Sequence, residues 1–224
     1  MEHSPRHIRL LRHSKAAHNQ GSTAAGEAGT SRFAGSERDH TLTEAGRADA
    51  KQHGERLVRD LGPQGVDLIV HSPLARSAET AQIIQAVFAS HGVDIPLMSM
   101  AELAELWVGK FADLSKDEVL AQFPDEAKRF YDGDVTQLQF PDGESYQQAR
   151  TRARNLLRKL EGLPDTQRSV VVVGHGMFNR VLLHELGQHA AAQSVAYPQT
   201  QVYAFDMVRD DQRWRVANVD VLKE

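Results

Sequence analysis

Four consecutive valines, at residues 170–173, constrain the fold of this 224-residue chain more than any other feature of its sequence. A strand with one face in water alternates apolar and polar residues, whereas an unbroken β-branched run suits a strand buried on both faces. Strands of that kind belong to mainly parallel sheets that carry helices on both sides. Three other β-rich runs precede the valines, at Ile8 to Leu11, Val66 to Val70 and Ile95 to Met98.

Helical patterns lie between these runs. Thr43 is placed to cap a helix that ends at Gly62 and Pro63. Ser72, followed by Pro73, is placed to cap a second helix that closes at His91 and Gly92. Two more helices are predicted, one from about Ser145 to Leu160 and one that follows Gly174 and extends up to Gly187.

Near the end of the chain, two segments of alternating polarity around Asp210 and Asp211 predict an antiparallel hairpin. We therefore expect an α/β fold of three layers, α/β/α, with a mainly parallel central sheet. The length suits a single domain over residues 1–224. Residues 21–31 are small and polar and are interpreted as a surface insertion, and residues 110–140 as a small lid of short helices.

Composition narrows the classes of function. The chain has no cysteine, which excludes disulfides, thiol catalysis and cysteine metal sites. A formal net charge of -4 favours neither a nucleic-acid nor a membrane-surface partner. The start of the chain lacks the apolar run of a signal peptide, and no later segment is apolar enough to span a bilayer. We expect a cytoplasmic protein with no membrane partner, and leave its oligomeric state open.

Two histidines follow predicted strands directly. His13 comes after Arg12 at the end of the first run, and His175 comes between two glycines after the four valines. Other histidines have similar neighbours, but the Arg6-His7 pair is expected before its strand, and His53 and His91 belong to helices. The carboxyl ends of neighbouring parallel strands meet at one edge of the sheet, where open α/β folds bind ligands. A lone histidine is more often structural, but two in such positions favour a site.

Arg76 stands in the first turn of the helix predicted after Val70. There, with nearby backbone donors, it could bind an anion. Taken alone, a solvated arginine is the simpler interpretation. A cation in a first turn opposes the helix dipole, however, so an anionic ligand would help explain it.

Together these segments resemble the histidine phosphatase superfamily, in its phosphoglycerate-mutase-like branch. The resemblance rests on motifs in the family's order from about residue 8 to residue 180, namely LLRHSKAAHN, RFAGSERDHTLTEAGR, SPLARSAETA, ELWVGKF, FPDGES and VVVVGHG. It implies that His13 attacks phosphorus and carries a phosphohistidine. It also implies that Arg12, Arg76 and His175 hold the phosphoryl oxygens, without a metal or other cofactor.

The resemblance places a proton donor at Glu105, four residues before Gly109, with Glu102 as the rival position. It also implies substrate contacts from Asn19, Ser14 and Gly176. Ser14 stands where the family has glycine, so it either adds a hydroxyl contact or crowds the site. Lys15 and Ala16 depart from the family's usual residues as well, and the long stretch between Asn19 and Phe33 weakens the role of Asn19. The remaining histidines show no metal-ligand spacing and are interpreted as surface or structural residues, including His3, His18, His40, His184 and His189.

The resemblance favours hydrolysis of a small phosphorylated metabolite. A mutase must keep its phosphoenzyme under a basic, closed lid, and this chain has fewer than forty residues between Glu105 and Gly143. Its lid cations are few, namely Lys110, Lys116, Lys128 and Arg129. The alternatives are mutase-type phosphoryl transfer and a non-enzymatic module that binds a phosphorylated ligand. The identity of the substrate does not follow from the sequence.

Overall fold

The computed structural model describes residues 5–19, 32–132 and 134–187, and the backbone of residues 202–209 and 214–222. Its strands are β1 (Arg6–Arg12), β2 (Leu68–His71), β3 (Leu97–Ser99), β4 (Ser169–Gly174), β5 (Val202–Arg209) and β6 (Trp214–Leu222). Within the described chain they form one sheet in the order β3-β2-β4-β1-β5-β6. The first four are parallel, whereas β5 runs antiparallel to both β1 and β6. The predicted hairpin is therefore confirmed, although its turn lies outside the described residues.

The helices follow the predicted alternation with the strands. They are α1 (Glu44–Leu61), α2 (Ala75–Ser90), α3 (Lys116–Gln122), α4 (Pro124–Tyr131), α5 (Tyr146–Glu161) and α6 (Gly176–Glu185). Single turns of 3-10 helix occur at Ala17–Asn19, Ala101–Leu103, Gly109–Phe111 and Val135–Gln137. Thr43 caps α1 as predicted, because its side chain accepts a hydrogen bond from the backbone N–H of Gly46. No helix within the described ranges has both the length and the apolar character that crossing a membrane requires.

The four valines divide between the two faces of the sheet, as a strand buried on both sides requires. Val170 and Val172 join an apolar cluster with α5 and α6. Val171 and Val173 join a second cluster, on the opposite face, with α1 and α2. All four side chains are fully buried. This arrangement confirms the prediction of a three-layer α/β/α fold with a mainly parallel central sheet.

The start of α2 differs from the prediction. The helix begins at Ala75, and Ser72 does not cap it, because the Ser72 hydroxyl accepts its hydrogen bond from the N–H of Leu74, which precedes the helix. The Asp39 carboxylate instead accepts a hydrogen bond of 2.7 Å from the Ala75 N–H. An acid 36 residues away in sequence thus satisfies the first helical donor, a relationship that no local pattern encodes.

Short helices do occupy residues 110–140, and their apolar side chains pack into the cluster that covers one face of the sheet. Phe111 lies at the centre of an aromatic group, with ring centroids 5.4 Å from those of Phe33 and Phe140. The function of this region as a lid, and the description of the whole chain as a single domain, stay predictions. The insertion at residues 21–31 lies outside the described residues.

Candidate active site

The two histidines that follow strands meet at the carboxyl edge of the sheet. Strands β1 and β4 are parallel neighbours, with Arg12 opposite Gly174 in register. The His13 N–H continues this ladder by donating to the Gly174 carbonyl oxygen at 2.9 Å. The centroids of the His13 and His175 rings are consequently 5.0 Å apart. The predicted meeting of these two histidines is therefore confirmed.

The Arg6-His7 pair has a different position from the one expected, because it lies inside β1 and not before it. It occupies the amino end of the strand, far along β1 from His13. There the buried Arg6 guanidinium donates to backbone carbonyl groups of residues 163–167. Arg6 thus connects β1 to the loop that precedes β4 and does not contribute to the site.

The imidazole of His13 is held in one tautomer. Its Nδ1 atom lies 2.7 Å from the backbone carbonyl oxygen of Ser14. A carbonyl oxygen can only accept a hydrogen bond, so Nδ1 carries the proton. Burial, followed by the positive neighbours His175, Arg12 and Arg76, lowers the pKa of His13 well below its usual range. The ring is therefore neutral, and Nε2 has an available lone pair.

His175 stands at the junction of β4 and α6 and is fully buried. Neither of its ring nitrogens has a hydrogen-bond partner among the described residues. Burial and the charges of Arg76 and Arg12 lower the pKa of His175 well below its usual range. A buried imidazole with two unsatisfied nitrogens is costly, unless a ligand supplies the missing hydrogen bonds.

Arg76 is buried near the start of α2, with only 1% of its surface exposed. Its terminal nitrogens donate to the carbonyl oxygens of Gly35 and Arg38, each at 2.8 Å. Its Nε atom makes no hydrogen bond within the described chain. Burial lowers the pKa of Arg76, and the carboxylates of Glu105 and Asp39 oppose that shift. The guanidinium is therefore fixed in position, and its Nε–H donor is available.

Gly176 allows Arg12 to lie against the start of α6. A Cβ atom at residue 176 would approach the Arg12 Cζ atom to 3.2 Å and its Nε atom to 3.3 Å. Such contacts are tighter than side chains normally tolerate, so a larger residue would displace the guanidinium. Gly176 is thus close to the predicted site and positions one of its cations.

Ser14 is buried and is held through its backbone. Its N–H donates to the Thr80 hydroxyl at 3.1 Å, and Thr80 in turn donates to the Arg76 carbonyl oxygen at 2.8 Å. The Ser14 hydroxyl has no partner among the described residues. Its contact with a substrate stays a prediction. Asn19 ends a single helical turn, and its side chain lies outside the described part of the chain.

The two candidate acids have different surroundings. Glu105 is 8% exposed, and its carboxylate accepts hydrogen bonds from the backbone N–H groups of Met177 and Phe178 in the first turn of α6. This position brings Glu105 beside His175 and within electrostatic reach of Arg76. Glu102 instead pairs with Lys159 at 2.7 Å, and the hydrogen bond from Lys159 lowers the pKa of Glu102. Of the two acids, only Glu105 lies beside the site histidines.

The comparison of this chain with known families gives a direct match. Residues 8–220 match the histidine phosphatase superfamily (branch 1). The chain belongs to this superfamily. It is 28% identical over 174 residues to the 2,3-bisphosphoglycerate-dependent phosphoglycerate mutase of Bartonella tribocorum, which covers 75% of this chain and 82% of that enzyme.

Solved structures have the same fold. A mycobacterial hydrolase superposes with a TM-score of 0.76 at 24% identity, covering 97% of this chain and 98% of that one. A mycobacterial glucosyl-3-phosphoglycerate phosphatase superposes with a TM-score of 0.74 at 23% identity, covering 95% of this chain and 97% of that one. These likenesses agree with the three-layer architecture described above.

His18, interpreted above as a surface or structural residue, lies next to the candidate site of this histidine phosphatase superfamily member. Its ring centroid lies 5.8 Å from that of His13 and 5.4 Å from that of His40. Burial, followed by the charges of Arg76 and Arg12, lowers the pKa of His18 from 6.5 to about 3. The feature of the sequence that could have indicated this position is the place of His18 in LLRHSKAAHN, five residues after His13.

A cavity of about 310 Å³ opens beside Glu105 and was also not predicted. Its other lining residues are Ser36, Ala104, Trp107, Glu144, Gln148 and Arg152. They come from the turn at residue 36, from residues 104–107, and from α5 and the residue just before its cap, so they are distant in sequence. Among the described residues, no group of three or more His, Asp or Glu side chains has the arrangement of a metal site.

Proposed function

We propose that this protein is a phosphatase that hydrolyses a small phosphate monoester through a phosphohistidine on His13. The observation that carries the proposal is the bond between His13 Nδ1 and the Ser14 carbonyl oxygen, 2.7 Å long. It directs the lone pair of a neutral imidazole to Nε2, which is the form required for attack on phosphorus. The membership of the chain in the histidine phosphatase superfamily supports the same chemistry.

The groups around His13 suit a phosphoryl group in charge and in hydrogen bonding. Arg12 and Arg76 are the cations whose charges act on both histidines. His175 has two nitrogens, and Arg76 one, without a partner in the described chain. Phosphoryl oxygens would satisfy these groups and spread the negative charge of the transition state among fixed donors. In this proposal the organic donors replace the metal ion that many phosphoryl-transfer enzymes use.

The proposed reaction has two steps. In the first, His13 Nε2 forms a bond to phosphorus, the bond from phosphorus to the substrate oxygen breaks, and Glu105 gives its proton to that oxygen. In the second, water attacks the phosphohistidine while Glu105 takes a proton from it, which releases inorganic phosphate and regenerates His13. The location of Glu105 at the start of α6, next to His175 and close enough to act on Arg76, supports this role.

The lid cations support hydrolysis over transfer to a second substrate position. Lys110 pairs with Asp142 at 2.9 Å, and the Lys116 ammonium lies 4.9 Å from the centre of the Tyr131 ring. Lys128 and Arg129 are exposed on α4. Each of these cations therefore interacts with a neighbouring lid residue or faces solvent. They do not form the basic cover that would protect a phosphoenzyme from water. The mutase from Bartonella tribocorum makes phosphoryl transfer the second candidate.

Phosphorus NMR with the purified protein tests the proposal and separates these candidates. We expect p-nitrophenyl phosphate and at least one alkyl phosphate to be converted to inorganic phosphate. A phosphoryl group that moves to another oxygen of the substrate, with little inorganic phosphate, would identify a mutase. Binding of these esters without turnover would identify the non-enzymatic alternative. His91→Ala is the matched control, because His91 is exposed at the end of α2 and should not affect either result.

A further inference from the structure

The cavity beside Glu105 is placed to hold the group that leaves the phosphate. A proton donor must reach the oxygen between phosphorus and the leaving group. Glu105 contributes one wall of the cavity and is also grouped with His175 and Arg76. If Glu105 protonates the leaving oxygen, as proposed above, the rest of that alcohol extends into this cavity. The volume of about 310 Å³ is at the lower end of ligand pockets, which suits a single ring.

The cavity offers no unpaired cation to an acidic leaving group. The lining has two acidic side chains, Glu105 and Glu144, and one cation, Arg152. Glu105 is protonated when it acts as the proton donor, so it adds no charge at that stage. The Arg152 guanidinium donates twice to Glu144 and once each to the carbonyl oxygens of Glu102 and Ala104, all at 2.8 Å. Its positive charge is therefore already compensated. A carboxylate on the substrate would therefore find no uncompensated cation in this lining.

The remaining lining groups suit a neutral polyhydroxylated ring. Trp107 is 53% exposed, which is unusual for a tryptophan, and it presents a flat apolar surface at the cavity. Glu144 makes two hydrogen bonds to the Trp107 backbone. The Glu144 N–H donates to the Trp107 carbonyl oxygen at 2.7 Å, and the Glu144 carboxylate accepts from the Trp107 N–H at 3.3 Å. Within the described chain, the Ser36 hydroxyl and the Gln148 side-chain N–H₂ make no hydrogen bond. They are available for substrate hydroxyl groups.

We propose that the cavity selects phosphate esters of neutral sugars, with the sugar ring stacked on Trp107 and its hydroxyls bonded to Ser36 and Gln148. This inference rests on the proposed function and names its substrate class. It distinguishes a neutral sugar phosphate from a carboxylated ester such as a phosphoglycerate.

Three esters of primary alcohols test the inference, because their leaving oxygens are similar. They are glucose 6-phosphate, which has a neutral ring, glycerol 3-phosphate, which is neutral and acyclic, and 3-phosphoglycerate, which carries a carboxylate. We expect kcat/KM for glucose 6-phosphate to exceed that for 3-phosphoglycerate by about tenfold or more. Trp107→Ala should lower kcat/KM for glucose 6-phosphate by about tenfold and change that for glycerol 3-phosphate by less than about threefold.

Two further variants sharpen the test. Gln148→Lys adds a cation to the cavity and should shift the ratio of kcat/KM by about tenfold towards 3-phosphoglycerate. Leu120→Ala is the control, because Leu120 is the other exposed large apolar side chain of the described residues and lies on α3. It should change none of the three values.

Two outcomes separate the inference from the proposed function. Turnover of p-nitrophenyl phosphate with a preference for 3-phosphoglycerate would overturn the inference alone, as would an equal effect of Trp107→Ala on all three esters. No phosphate released from any ester, including p-nitrophenyl phosphate, would overturn the proposed function and the inference with it.

Discussion

The His13 Nδ1 atom donates a hydrogen bond to the carbonyl oxygen of Ser14, the residue that follows it in the chain. This bond uses the backbone of residue 14, so it does not depend on which side chain is present there. The family's glycine is therefore replaced by serine without loss of the tautomer that leaves Nε2 available. The Ser14 N–H is fixed at the same time by Thr80, which joins the turn after β1 to α2.

Replacement of Glu105 by glutamine should reveal its role as a proton donor. An alkyl oxygen must be protonated as it leaves, whereas p-nitrophenolate departs with little help. Glu105→Gln keeps the size of the side chain and removes the proton. We expect single-turnover phosphorylation of the enzyme by an alkyl phosphate to slow by about 10²- to 10⁴-fold, and by p-nitrophenyl phosphate much less.

Glu102→Gln is the matched control for that measurement. It changes an acid three residues away that pairs with Lys159 and is not grouped with the histidines. We expect small and similar effects on both substrates. If Glu102→Gln alone shows the dependence on the leaving group, the proton donor is Glu102 and not Glu105.

The proposed reaction should not require a divalent ion, because arginine and histidine donors hold the phosphoryl oxygens. We expect hydrolysis of p-nitrophenyl phosphate to persist after dialysis against EDTA. Vanadate, which adopts the five-coordinate geometry of the transition state, should inhibit the same sample. Complete loss of activity on dialysis, with recovery on addition of Mg²⁺ or Zn²⁺, would exclude this mechanism.

The sequence predicted those parts of the site that depend on strand order and local pattern. The four valines required a strand buried on both faces, and His175 follows that strand directly. The position of Arg12 at the end of β1, with His13 directly after it, then placed both histidines at one edge of the sheet. Each of these steps uses the period of a strand and the polarity of a parallel sheet, which short sequence segments encode.

Other parts of the site depend on contacts between distant segments and were not predicted. Asp39 caps α2 from another part of the chain, so the local signal at Ser72 and Pro73 was misleading. Arg152 reaches from α5 to the loop that carries Glu105, and this contact forms one wall of the cavity. His18 approaches His13 through the turn after β1, whose path no periodic pattern specifies.

The burial of His18 should make stability depend on pH. The pKa of His18 is about 3 in the folded protein, against 6.5 for an ordinary histidine. Between these values the unfolded chain binds a proton that the folded protein does not, so the free energy of unfolding falls as the pH is lowered. His18→Ala should reduce this slope by up to about 1.4 kcal/mol per pH unit between pH 6.5 and pH 4.

Urea denaturation at several pH values measures that slope. His91→Ala serves as the control, because His91 is exposed, and the variant should keep the slope of the original protein. An unchanged slope in His18→Ala would show that His18 titrates normally in the folded state, contrary to its burial beside Arg76 and Arg12.

The most direct test of the account is the location of the phosphoryl group on the enzyme. A rapid acid quench would lose a phosphohistidine, so the reaction with a ³²P-labelled ester should be stopped in base, where that bond persists. We expect the original protein, and His91→Ala, to retain an acid-labile label that mass spectrometry places on His13. His13→Ala should retain no label, although its other phosphate-binding groups are intact. A label that persists in His13→Ala and disappears in His175→Ala would contradict the assignment of His13 as the nucleophile.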